Sequence, residues 1–312
     1  MSISRALQLA AEARQRAYPK PTVGAVLVRD GEIVGEGATE ASGRHAEVVA
    51  LGAAGERARG ATLYVTLEPC AHHGTTPPCV DAIAAAGVER VVFGSRDPNP
   101  EAAGGEERLL AAGLDVEFVD WFEARAQTEA WRTWVTAGRP FVTYKAAVTL
   151  DGRVTVPGQR WVTGEESRKL VHGLRAQVDA VAVGGGTARA DRPRLDARGV
   201  DTPRGQPRRL AFSRGPLPEG LDLEVRSGPL EDELAALAAE GVQSLLLEGG
   251  PTLAASFLAA DLIDKVVLFA APVLSGSGPR FLASLPSPRT LSHLTARPVG
   301  DDVLLEAYVH LP

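Results

Sequence analysis

Along this chain the spacing of apolar positions switches repeatedly between a helical and a strand period. From Met1 to Gln15, Arg5, Glu12 and Arg14 punctuate a run of alanines and leucines, the pattern of an amphipathic helix. Val23 to Val28 reads as a strand, Asp30-Gly31 as a two-residue hairpin turn, and Glu32 to Glu36 as the returning strand. The spacing of Ala46, Val48, Val49 and Leu51 predicts a helix over His45 to Arg57. A strand over Thr62–Leu67 follows, then a helix over Cys79–Ala86 that Gly87 stops. A strand at Arg90–Gly94, a helix at Gly105–Ala112 and a strand at Leu114–Val119 continue the alternation. A long helix is expected from Trp121 to Ala137, and Gly138-Arg139-Pro140 ends it because proline cannot continue a helix.

That break divides the chain into expected domains of residues 1–140 and 141–312. The second half opens on a buried strand from Phe141, and Trp161-Val162-Thr163-Gly164 leads into a helix reaching Arg175. Ala180–Val183 and Ser244–Glu248 are strand-like runs ending in Gly184-Gly185-Gly186-Thr187 and Gly249-Gly250-Pro251-Thr252. Strands alternating with helices imply a layered α/β fold. A strand, a glycine pair and a helix start form a geometry in which bare backbone N–H groups approach a phosphate. Two such points suit a dinucleotide or a phosphorylated ligand, although glycine-rich strand ends also serve as plain turns. Neither matches G-x-G-x-x-G or a P-loop.

Composition narrows the field. The 312 residues suffice for two cores, and 45% hydrophobic with 23% charged residues is ordinary for a globular protein. A net charge of −6 argues against nucleic acid as a partner, which demands a basic footprint. No run approaches a membrane span and the first residues lack a signal-peptide core, so the expected location is cytoplasmic with no membrane partner. Homo-oligomerisation stays open.

The only cysteines are Cys70 and Cys79, each directly after a proline, with Arg44-His45-Ala46-Glu47 upstream. Alone, such a pair also fits two buried thiols. With His45 it makes three ligands for a tetrahedral Zn²⁺ whose fourth position is left for water. Glu47 is then free to take a proton from that water and deliver it to a leaving nitrogen, as hydrolytic deamination requires. The nucleobase-deaminase signature H-x-E…P-C-x-x-C is met in part, since the cysteines here stand further apart. His45 and Cys79 would start helices, whose N-termini favour thiolate, and His45 and Glu47 can share a pocket only near a helix end.

Val65-Thr66-Leu67-Glu68-Pro69-Cys70, His73-Gly74 through Pro77-Pro78-Cys79, and Asp97-Pro98-Asn99-Pro100 resemble the deaminase half of the bifunctional riboflavin-biosynthesis deaminase/reductases. Lys145-Ala146-Ala147, Leu150-Asp151-Gly152, Trp161-Val162-Thr163, Gly186-Thr187 with Ala190-Asp191, and Glu248-Gly249-Gly250-Pro251-Thr252-Leu253 resemble the reductase half. The resemblance implies a cytidine-deaminase-like three-layer domain followed by a dihydrofolate-reductase-like domain that binds NADPH. It implies cofactor contacts at Ala147, Trp161, Thr187, Asp191 and the turn Gly250, Pro251, Thr252, Leu253, Ala254, Ala255 and Ser256. It places a phosphoribosyl pyrimidine substrate on Gln159, Arg175, Leu195, Arg198 and Glu248, where two arginines suit a phosphate. By itself Arg175 equally fits a solvated helix-end cation.

Three positions depart from the family pattern: Lys20 within Pro19-Lys20-Pro21 replaces an asparagine, Thr75 a basic residue, and Ser213-Arg214 an Asp-Ser or Asp-Thr. Arg214 is expected to grip the 2′-phosphate of NADPH. Lys20 is expected to supply the phosphate-binding cation that Thr75 lacks, unless it points to solvent beside its prolines. The expected function is zinc-dependent deamination of a diamino-phosphoribosylamino-pyrimidinone, then NADPH reduction of the ribosyl chain to ribityl. The alternatives are a cytidine- or tRNA-type deaminase with an appended nucleotide-binding domain, and a non-catalytic zinc module with an NADP-sensing domain.

Overall fold

A computed structural model describes residues 2–73 and 77–312, so Thr75 lies outside the described residues. The chain divides into one unit of Met1–Thr136 with Pro312 and a second of Ala137–Leu311. In the first, α1 (Ser2–Ala17) precedes the hairpin β1 (Gly24–Arg29) and β2 (Glu32–Ala38). Then come α2 (Ala46–Ala54) with a 3-10 turn at Gly55–Ala58, β3 (Thr62–Val65), α3 (Cys79–Ala85), β4 (Arg90–Phe93), α4 (Gly105–Ala111) and β5 (Asp115–Phe118). Two short helices, α5 (Phe122–Gln127) and α6 (Glu129–Ala137), close the unit.

The sheet order is β2-β1-β3-β4-β5, with β1 antiparallel to both neighbours and β3, β4 and β5 parallel. On one face Ala6 and Ala10 of α1 press against Gly24 of β1. On the other, Ala46 and Ala50 of α2, Ile83 of α3 and Leu109 of α4 join Ala25, Leu27, Leu63, Val65 and Val91 in one core. The result is the three-layer arrangement expected, with α2 and α3 packed beside each other on the metal-binding side.

Two helices differ from the apolar pattern. The one predicted to reach Arg57 stops at Ala54, because Gly55 takes a left-handed φ of 57° and turns the chain into the 3-10 segment. The long helix expected at Trp121–Ala137 is two helices broken at Thr128 (φ −112°), a buried residue whose hydroxyl donates back to the Arg125 carbonyl at 3.2 Å. Such back-bonding competes with the helix ladder.

The second unit holds β6 (Phe141–Thr149), α7 (Glu165–Gln177), β7 (Ala180–Gly184), α8 (Gly185–Asp191), β8 (Arg208–Phe212), β9 (Glu224–Arg226) and α9 (Leu230–Ala239). These are followed by β10 (Ser244–Leu247), α10 (Pro251–Ala259), β11 (Lys265–Ala271), β12 (Ser292–Val299) and β13 (Asp302–Tyr308). Its sheet runs β12-β13-β11-β6-β10-β7-β8-β9, parallel from β11 to β9 and antiparallel at the β12–β13 end. Leu234, Leu237, Phe257 and Leu258 of α9 and α10 cover one face, and Val171 and Leu174 of α7 the other. Parallel strands β10 and β7 are neighbours, so their carboxyl ends, carrying the two glycine turns, lie side by side.

Candidate active sites

A cavity of about 310 Å³ in the first unit is lined by Lys20, Pro21, Val23, Thr39, His45, Glu47, Leu67, Glu68, Cys70, His72, Asp97, Asn99, Ala102 and Trp131. His45 is the N-cap of α2 (φ −76°, ψ 151°) and Glu47 lies in its first turn, so both reach one pocket from a helix end. Cys79 is the first residue of α3. Cys70 sits on the loop after β3, held by Glu68 N–H on the Ser95 carbonyl (2.8 Å) and Ala71 N–H on the Ala102 carbonyl (3.0 Å). The buried Glu68 carboxylate accepts N–H groups from Asp97 (3.2 Å) and Glu106 (3.1 Å), pinning two loops to the cysteine loop. Gly105 is required there, since a Cβ would come 2.0 Å from the Pro69 carbonyl oxygen.

His45 Nδ1 lies 3.2 Å from Cys79 Sγ and 3.5 Å from Cys70 Sγ, and the three ligand atoms fall within 4.8 Å of one another. A tetrahedral zinc with usual Zn–N and Zn–S bonds would put nitrogen and sulfur about 3.6 Å apart. The donor set therefore fits the ion. Hydrogen bonding from Cys79, aided by His45, pulls Cys70 down to about 4, while the same contact and burial push Cys79 well up. The backbone N–H of Cys79, at the start of α3, donates to Cys70 Sγ at 3.4 Å, so this helix start serves the other sulfur. Burial raises Glu47 from 4.5 to about 7 against the opposing pull of His45. That value suits a group that must both take and give a proton near neutrality.

In the second unit Arg175 donates two bonds to Glu248 (2.6 and 2.9 Å) and one to the Asp196 carbonyl (3.1 Å), with Lys145 Nζ 3.8 Å from the same carboxylate. Burial works to raise Glu248, and the two cations override it and hold it below its usual range. Arg198 pairs with the Asp196 carboxylate and its N–H meets His172 Nδ1 at 3.2 Å. Leu195 is buried in an apolar cluster with Val181, Val183 and Ala188 at φ 55°, an uncommon conformation for a bulky residue. Arg175, Glu248, Leu195 and Arg198 thus come together. Arg175 engages a carboxylate here and Arg198 is bound to Asp196, so neither cation stands alone.

A Cβ on Gly250 would come 3.1 Å from Thr187 Oγ1 and one on Gly184 3.4 Å from Leu253 Cβ, which joins the two glycine turns into one cradle. A Cβ on Gly186 would meet nothing, leaving open space before it. Asp191 and Gln159 are exposed and Ala147 half-buried on β6. Trp161, 53% exposed, has the guanidinium groups of Arg160 and Arg168 at 5.1 and 5.5 Å from its ring centre. Arg214 is exposed, with no hydrogen bond or ion pair among the described residues.

Residues 1–95 match the cytidine and deoxycytidylate deaminase zinc-binding region, and residues 140–305 match the RibD C-terminal domain. Riboflavin biosynthesis protein RibD of Aquifex aeolicus is 43% identical over 88% of this chain and 86% of its own length. The chain belongs to the RibD family. RibD of Escherichia coli is 37% identical over 97% of both chains. Acinetobacter baumannii RibD superposes with a TM-score of 0.85 at 33% identity, covering 98% of this chain and 97% of that one. A Thermotoga maritima structure described as a diaminohydroxyphosphoribosylaminopyrimidine deaminase/5-amino-6-(5-phosphoribosylamino)uracil reductase gives 0.83 at 32%, with the same coverage. The family is bifunctional, a zinc-type deaminase joined to a reductase of riboflavin biosynthesis, and both halves are present in this RibD chain.

Sequence reasoning gave no role to several residues that line these pockets. Asp97, raised to about 6 by burial with Glu68 nearby, lines the deaminase cavity beside Asn99 and Trp131. The signal was a carboxylate directly before a proline, just after a strand. Lys145 in the second unit was visible as a lone lysine inside an apolar strand, although its partner Glu248 is distant in sequence.

Proposed function

We propose that the first unit deaminates a phosphorylated diaminopyrimidine and the second reduces its sugar chain with NADPH. The carrying observation is the buried Glu47 carboxyl, near 7, in the same cavity as His45, Cys70 and Cys79. His45, Cys70 and Cys79 would hold zinc, which when bound supplies a Lewis acid that lowers the pKa of a water. Glu47 takes the proton released and returns it to the departing amino nitrogen. Asp97 and Asn99 orient the ring, and Trp131 closes one wall. In the second unit Ala147, Trp161, Thr187, Asp191, Arg214 and Gly250 through Ser256 would contact NADPH, the hydride donor. Gln159, Arg175, Leu195, Arg198 and Glu248 would hold the phosphoribosyl substrate, with Glu248 fixed by Arg175. Supplying the pyrimidine and NADPH together tests both steps, as ammonia release and loss of NADPH absorbance. Ammonia without NADPH consumption would overturn the reductase role, and neither signal would overturn the whole reading.

Cytoplasmic location and a homo-oligomer belong to the same proposal. No described helix is long and apolar enough to cross a membrane. One face of the β11–β13–β12 end presents Val266, Leu268, Ala270, Val303, Leu305, Leu294, Ala296 and Pro298 without a charge, with Leu294 69% and Val303 41% exposed. Lys265, Glu306 and Arg297 lie on the opposite face of these strands. An uncharged sheet face suits a second copy packed on it about a two-fold axis. Leu294→Lys should convert the assembly to monomer in analytical ultracentrifugation, and an unchanged assembly would exclude this face.

A further inference from the structure

Three carboxylates, Glu47, Glu68 and Asp97, line the deaminase cavity, and its substrate class carries a phosphate. Lys20 is the one lysine or arginine lining that cavity among the described residues. We propose that the Lys20 ammonium is the phosphate-recognition group of this pocket, which makes it a specificity-determining residue; the inference rests on the deaminase reading above.

Three features of the surroundings support it. First, the ammonium is unclaimed by any acid. Its only side-chain bond is to the Gly43 carbonyl at 3.5 Å, the long limit of a hydrogen bond, and it forms no ion pair among the described residues. The nearest acidic side chain of that loop, Glu40, is already held by Arg44 at 2.7 and 2.9 Å and by Ser42 at 2.8 Å. Second, the site keeps room for the ammonium. Gly43 has φ +91°, and a Cβ there would come 2.7 Å from Lys20 Nζ, so the residue facing the ammonium is one without a side chain. Third, the loop bearing Lys20 is fixed rather than loose. The Thr39 hydroxyl donates to the Pro21 carbonyl at 3.2 Å and accepts the Val23 N–H at 3.0 Å.

The charge balance points to an anion rather than a ring carbonyl. A phosphate entering among carboxylates needs a countercharge within reach, and a compact ammonium on a flexible stem follows a phosphate without demanding one geometry. Ring edges are served in the same cavity by the amide of Asn99 and the carboxyl of Asp97. A buried polar atom on the cavity wall is open to a ligand. His72 Nδ1 has no hydrogen-bond partner among the described residues, which is costly unless a bound molecule supplies one.

The test compares Lys20→Met and Lys20→Arg with the unaltered enzyme, using the phosphorylated pyrimidine and its dephosphorylated ribosyl counterpart. The unaltered enzyme should favour the phosphorylated substrate. Lys20→Met should lose about 10- to 100-fold in kcat/KM on that substrate, mostly through KM, the scale of one hydrogen bond to a charged group. It should change little on the dephosphorylated one, and Lys20→Arg should restore most of the preference. Ribose 5-phosphate should compete against deamination by the unaltered enzyme and fail against Lys20→Met. Equal losses on both substrates, or an undiminished phosphate preference in Lys20→Met, would overturn the assignment. Absence of ammonia release from either substrate by the unaltered enzyme would instead overturn the deaminase reading. Should Lys20→Met fail to fold, equal inhibition of the unaltered enzyme by ribose and ribose 5-phosphate would still refute the phosphate contact.

Discussion

Replacing Glu47 by Gln should strengthen the metal-free protein while disabling it. Glu47 is 4% exposed, and burial raises its carboxyl from 4.5 to about 7. The sign follows from linkage. A carboxyl raised on folding releases its proton more readily in the unfolded chain, so the native state loses ground as pH climbs above 4.5 and the loss is complete above about 7. A rise of about 2.5 units corresponds to about 3 kcal/mol, and relaxation in the cavity should leave about 1.5–3 kcal/mol. Glutamine has the same shape and no charge, so it should recover that penalty above pH 7 and almost nothing at pH 4.5. The assay is urea unfolding of chelator-treated protein under reductant at both pH values, reading the transition that zinc displaces and that therefore belongs to the first unit. The zinc-loaded variant should keep its metal and lose at least about 10²-fold in ammonia release, the scale of general acid–base catalysis. A stability difference independent of pH would refute the buried-carboxyl argument, and retained activity would refute the proton-transfer role.

Cys79→Ser should reduce bound zinc from one per chain to a small fraction by elemental analysis, because Cys79 completes the three-ligand set with His45 and Cys70. Arg175→Met should leave the buried Glu248 carboxylate with Lys145 alone at 3.8 Å and cost about 3–5 kcal/mol, measured on the unfolding transition of the second unit. His310 contacts Asp264 at 3.1 Å, which raises its pKa above 6.5. Its stabilising contribution should be complete below pH 6.5 and fade as pH rises through the raised value. His310→Gln should remove that pH dependence from the second unit's denaturation midpoint, and an unchanged profile would assign it elsewhere.

The alternation of strands and helices was legible because each core face follows one period. Ala25 and Leu27 turn toward α2 and α3 while Gly24 admits α1, an arrangement the hydrophobic run at Val23–Val28 signals directly. The break at Thr128 was not legible. A threonine inside an amphipathic stretch looks like any polar position until its hydroxyl is seen bonded to the Arg125 carbonyl in a buried setting. The hairpin turn at Asp30-Gly31, by contrast, depends only on local backbone preference, and both residues take positive φ.

The two sites differed in legibility for a physical reason. Metal ligation demands rare residue types, so the only two cysteines in 312 residues, with His45-Ala46-Glu47 upstream, announced the zinc site almost by scarcity. What scarcity could not say was how the ligands meet: His45 caps α2, Cys79 opens α3 and Cys70 follows β3, and the fold brings their ligand atoms within 4.8 Å of one another. The second unit relies on common residues whose meaning is set by distant partners. Arg175 looked like a phosphate ligand because arginine suits phosphate, yet 73 positions along the chain Glu248 claims both arms of its guanidinium. Breaking that bidentate pair would leave a buried carboxylate at the very strand end where the glycine turns meet. Arg175 therefore acts first by fixing Glu248. Arg198, whose side chain is 46% exposed, is the better placed of the two to meet an incoming phosphate.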